Sequence, residues 1–84
     1  MVLKKVVLDV LKSHEYPKEK LSESIVKLRG VKEVSITSEE IDQETESLKV
    51  VVEGGALNFE KIKHEIEKEG ASVHSIDFLV SRKK

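Results

Sequence analysis

The sequence contains no cysteine, no tryptophan, a single proline and three aromatic residues, Tyr16, Phe59 and Phe78. Without cysteine there is no disulfide and no thiolate metal site. Asn58 and Gln43 are the only side-chain amides. No sign of charge dominates: 15 basic and 16 acidic residues leave a net charge of −1. A field able to draw the chain to nucleic acid or anionic lipid is therefore missing. Only the tail Arg82-Lys83-Lys84 is locally basic. No apolar stretch approaches the ~20 residues of a membrane span. Val2-Leu3 runs directly into Lys4-Lys5, unlike the apolar segment of a leader, so the expected compartment is the cytoplasm.

What the chain has in quantity is lysine and glutamate, 13 of each among 84 residues. Hydrophobic residues at 38% are too many for disorder, and charged residues at 37% are unusually many. A Lys/Glu surface with few thermolabile amides is the composition of heat-adapted proteins. A chain this short forms one domain, residues 1–84, with a thin stability margin. Self-association is the remaining way to widen it.

Residues 2–11 are rich in Val and Leu and read as a strand. Pro17 suits the first turn of a helix reaching about Arg29, with Leu21, Ile25 and Leu28 on its buried stripe. Gly30 stops it. A second strand covers 31–36 and extends toward Ile41, and a third covers 48–53, ended by Gly54-Gly55. Asn58 caps a helix over 59–69, with Phe59, Ile62 and Ile66 inward. Gly70 precedes a last strand over 72–80. The halves echo each other: Ile25, Gly30, Val34, Ser35 and Ile36 correspond to Ile66, Gly70, His74, Ser75 and Ile76.

A duplicated βαβ unit of this length predicts an α+β, ferredoxin-like βαββαβ sandwich. The expected antiparallel sheet has the order 4-1-3-2, with both helices on one face. Strand alternation sends Leu48, Val50, Val52, Ile76, Phe78, Val80, Val34 and Ile36 beneath the helices, together with His74. It leaves Val7, Leu11, Val51 and Leu79 on the open face with Asp9, Lys49 and Asp77. Asp9 belongs there because a lone carboxylate is costly in a core. The apolar four are the expected interface with a partner.

Several functions of this architecture lack their residues. Metal chaperones need a Cys-x-x-Cys loop. RNA-recognition modules need aromatics on the central strands, and these carry none. An acylphosphatase-like enzyme needs an arginine in residues 12–16, and there is none. No P-loop, GxGxxG or nucleophile–base pair can be assembled, so catalysis is not expected. Asp9 and Asp77, on neighbouring strands, are candidate ligands for a hard cation, Ca²⁺ or Mg²⁺. So are Asp42, Glu44 and Glu46 in the hairpin, which lacks the glycine and spacing of an EF-hand. A solvated hairpin tip is the plainer account. His64 with Glu60 and Glu67 forms either a helical metal ridge or a charged solvated face. His14 has no partner in the sequence that would make it a ligand or a base.

The chain resembles an archaeal family known as domain of unknown function 211. The resemblance runs from end to end. It is carried by Met1-Val2-Leu3-Lys4, Leu8-Asp9-Val10-Leu11-Lys12, Gly30-Val31-x-x-Val34-x-Ile36-Thr37, Glu44-Thr45-Glu46-x-Leu48-Lys49, Phe59-Glu60-x-Ile62-Lys63 and His74-Ser75-Ile76-Asp77. It implies a ferredoxin-like protein that assembles into ring-shaped homo-oligomers, and it supplies no catalytic residues.

Overall fold

The computed structural model describes residues Met1–Lys84. Six elements run in order: β1 (Val2–Ser13), α1 (Lys18–Val26), β2 (Val31–Ile41), β3 (Thr45–Leu57), α2 (Phe59–Lys68) and β4 (Ala71–Arg82). All strands pair antiparallel in the order β2-β3-β1-β4, which is the expected 4-1-3-2 read from the other edge. β2 ends at Ile41, the further of its expected limits; β1 and β4 outrun theirs by one or two residues, and β3 by three at its start and four at its end.

Local chemistry explains both helices. Pro17 stands just before α1 with φ −70°, close to the value its ring imposes. The helix ends earlier than its stripe suggested, at Val26, and closes in a turn where Leu28 N–H donates to Ile25 O. Asn58 caps α2, its side chain accepting from the Lys61 N–H at 3.2 Å. Asn58→Ala is expected to lower stability by about 1 kcal/mol, read as an earlier urea midpoint with an unchanged slope. Gly30 and Gly70 leave the helical turns at φ +90° and +87°, where a side chain is strained.

Alternation in β1 and β3 holds. Val6, Leu8 and Val10 meet Leu48, Val50 and Val52 under Leu21 and Ile25 of α1 and Ile62 and Ile66 of α2. Each such buried side chain contributes roughly 1.5–3 kcal/mol. Val34 and Ile36 border this core, as do Leu28 and Phe59.

The glycine pair does not end the third strand. β3 continues through Gly54-Gly55 to Leu57. Gly55 N–H donates to Gly30 O at 3.0 Å, and a Cβ built on Gly54 would lie 1.9 Å from that same oxygen. Gly54 lets two backbones approach where a side chain could not fit.

Candidate functional site

The face of the sheet away from the helices is built by β1 and β3, which pair without a break in register from Lys5 onward. Lys5 stands across from Glu53, Val7 from Val51, Asp9 from Lys49 and Leu11 from Ser47. Lys5 Nζ lies 3.3 Å from the Glu53 carboxylate. Three of the four expected interface residues, Val7, Leu11 and Val51, share this face. Val7 is buried there, Val51 half-buried and Leu11 exposed.

The fourth is a correction. Leu79 pairs with Val6, a core residue, and so lies on the helix side of the sheet. The cause lies in two of the three register shifts between β4 and β1, the two that insert a residue into β4. Val7 opposes Phe78 and Leu8 opposes Ile76, so Asp77 is an extra residue; Asp9 opposes Ser75 and Val10 opposes Val73, so His74 is another. Each bulge inserts one residue and reverses the phase of the strand beyond it. β4 is consequently read in threes: Val73, Ile76 and Leu79 face the helix side, and Ser72, Ser75 and Phe78 the open side. Phe78 and Val80, expected under the helices, therefore stand on the open face. Lys5 Nζ sits 5.9 Å from the Phe78 ring centroid, a cation–π arrangement across that face.

The two extra residues are also turned to the open side. His74, expected at the core edge, lines a depression of about 170 Å³ with Asp9, Leu11 and Ser47. Asp77 accepts from the Ser75 hydroxyl at 2.7 Å, which fixes it beside the residue opposite Asp9. Asp9 and Asp77 thus share a face, with Ser75 between them. Nowhere in the chain do three His, Cys, Asp or Glu side chains converge in a metal-binding group.

The hairpin acids divide. Asp42 and Glu44 are exposed at the tip. The tip is tied to the β1–α1 connection: His14 N–H donates to Glu44 O at 3.1 Å and the His14 ring binds Asp42 O. His14 is thus an anchor between loops. Glu46 is no part of a solvated tip. It lies in β3 in phase with Leu48, 6% exposed, directly across from Lys12, itself 5% exposed. Lys12 Nζ meets one Glu46 oxygen at 2.8 Å; the other accepts from Ser38 Oγ and lies 3.5 Å from Lys18 Nζ. Hydrogen bonds from Lys12, then from Ser38, hold the Glu46 carboxyl at about 2 against burial, which acts the other way. Both carboxylate oxygens are engaged, so Glu46 is not free to be a cation ligand. Alternation contains the signal for this pair, since Lys12 follows Val6, Leu8 and Val10 at steps of two.

Between the helices, Ser24 Oγ donates to Glu65 at 2.5 Å and Lys68 Nζ lies 3.3 Å away. The Ser24 hydrogen bond leads in holding the Glu65 carboxyl below its ordinary value. Glu60, His64 and Glu67 are exposed on α2.

A half-covered antiparallel sheet built from two βαβ units, with a doubly bulged edge strand, defines a ferredoxin-like protein. Residues 4–84 match DUF211, a family described as "Uncharacterized ArCR". The chain is 42% identical over 82 residues to "Uncharacterized protein MJ0319" of Methanocaldococcus jannaschii, covering 98% of this chain and 84% of that relative. The protein belongs to this archaeal family of uncharacterised proteins. No helix is long and apolar enough to cross a membrane.

Proposed function

We propose that the protein is a non-catalytic, homo-oligomeric ligand-binding or regulatory module of the cytoplasm, assembled through β4 and the open sheet face. The observation that carries this reading is the apolar edge. Ile76, Phe78 and Leu79 are 45%, 54% and 50% exposed, and they account for three of the seven exposed large hydrophobics of the chain. They fall within four residues of one edge strand, and the phase change puts them on both of its sides. A solvent-facing edge of that composition is an aggregation hazard unless a partner covers it. A second copy is the partner that the chain always has to hand, and closed symmetric assembly is its commonest form.

Light scattering and native mass spectrometry test this. Wild-type protein at micromolar concentration should run as a defined oligomer. Phe78→Glu combined with Leu79→Glu should shift it to monomer while far-UV circular dichroism is retained. A monomeric wild type would overturn the reading.

A further inference from the structure

The open face carries a polar feature that neither the core nor the apolar edge accounts for. Residues 72–78 place five side chains on that face, Ser72, His74, Ser75, Asp77 and Phe78, where alternation alone would allow four at most. Bulges are a recognised way of re-aiming side chains toward a site. The tetrapeptide His74-Ser75-Ile76-Asp77 contains both inserted residues, so its composition and its backbone irregularity coincide.

The depression next to this segment has Asp9 on one wall and His74 on another, with Ser47 and Leu11 completing it. Asp9 is half-buried yet enters no ion pair, although Lys49 faces it in register. Its other cross-strand neighbour, Ser75, donates its hydroxyl hydrogen bond to Asp77 instead. The carboxylate therefore has acceptor capacity that the protein does not use. Ser47 and His74 add hydrogen-bonding groups beside it, and Leu11 adds a short apolar wall. At about 170 Å³ the space suits a molecule of a few heavy atoms and is well below that of a drug-sized pocket.

We infer that this depression binds a small primary ammonium compound, with its N–H groups on Asp9 and a neighbouring hydroxyl or carboxylate on Ser47 and His74. The site rests on the open-face reading above, and it adds to that reading the class of ligand. Two features favour an organic ammonium over a bare divalent cation. The donors are one carboxylate, one imidazole and one hydroxyl, too few charged oxygens for Ca²⁺. The apolar wall also suits a ligand with carbon. A charge-assisted hydrogen bond to a half-buried carboxylate is among the stronger neutral-pH contacts available to so small a molecule.

Ethanolammonium and glycine are suitable probes, titrated into the ¹⁵N-labelled protein at constant ionic strength. Tetramethylammonium, which lacks N–H groups, and Mg²⁺ and Ca²⁺ serve as comparisons. Saturable shifts should appear at the amides of Asp9, Leu11, Ser47 and His74. Asp9→Asn should weaken binding roughly tenfold or more, because the charged acceptor is lost while the shape is kept. Ser47→Ala should weaken it less, and both variants should keep the wild-type spectrum elsewhere. The inference is overturned if neither probe saturates in the millimolar range. It is overturned equally if tetramethylammonium or a divalent cation produces the same shifts, or if Asp9→Asn binds as well as wild type. Light scattering on the same samples separates the two ideas. Saturable binding by a monomer would sink assembly but keep the site, and a probe-blind oligomer would do the reverse.

Discussion

Gly54→Ala is expected to destabilise the protein by about 4 kcal/mol or more, whereas Gly55→Ala, one residue on, should cost less than about 1 kcal/mol. The contrast isolates space as the cause. Neither glycine has a positive φ, so neither is there for backbone freedom. At Gly54 an added Cβ lands 1.9 Å from Gly30 O and 2.8 Å from Leu57 Cδ2. The first is backbone and cannot swing aside. Relief requires β2 and β3 to part where β2 begins, with loss of the Gly55–Gly30 hydrogen bond. At Gly55 the nearest atom is Lys32 Cε at 3.9 Å, the movable end of a side chain. For a chain of this length, 4 kcal/mol corresponds to a fall in Tm of about 16–30 °C. Thermal unfolding of the two variants in parallel checks it. Equal melting temperatures would show that β2 and β3 do not meet as described.

The second large effect concerns Lys12 and Glu46. Lys12→Met should cost about 3–5 kcal/mol at neutral pH, since it leaves a buried carboxylate with only Ser38 and the more distant Lys18. Adding Glu46→Leu to it should restore most of that loss, because replacing both charges removes the stranded one. Acid acts on the same pair. The Glu46 carboxyl sits at about 2 in the folded protein, against an ordinary value near 4.5. A folded value below the unfolded one means that the pair's stabilisation is complete above about pH 4.5 and disappears as pH falls toward 2. The difference corresponds to about 3 kcal/mol. Urea midpoints should decline steeply over that window in wild type. In the Lys12→Met/Glu46→Leu double variant the decline should be shallower. A parallel decline in both would show that other carboxylates govern the acid limb.

Much of this architecture can be read from residue order. The two helices, their glycine stops, the Asn58 cap and the alternating cores of β1 and β3 all come from local spacing. The errors in β4 have one physical origin. A period of two is valid only while a strand stays in register with its neighbour. In β4 it fails twice, and alternation then puts Phe78, Val80, Leu79 and His74 on the wrong side of the sheet. A bulge of this kind carries no diagnostic residue type. Yet Val73, Ile76 and Leu79 do recur every three positions, which neither a regular strand nor a helix explains well. The glycine pair misleads for a different reason: glycine marks a turn and a close backbone approach alike. Glu46 is misread because its acidic neighbours at the hairpin tip outweigh its phase with Leu48 and Val50. The Asp9–His74 depression cannot be read at all, since it exists only because His74 is an extra residue.

The double bulge also sets limits on how copies of this chain can meet. A straight edge twelve residues long would offer an unbroken row of amide and carbonyl groups to any passing strand, and stacking through such a row has no natural end. Two inserted residues bend that row and break its repeat at His74 and at Asp77. An incoming backbone can follow it for only a few residues before falling out of step. Side chains such as Phe78 and Ile76 remain free to grip a neighbour, but the grip is local and directional. Fibrous growth along the edge is thereby disfavoured, while an assembly of fixed size stays within reach.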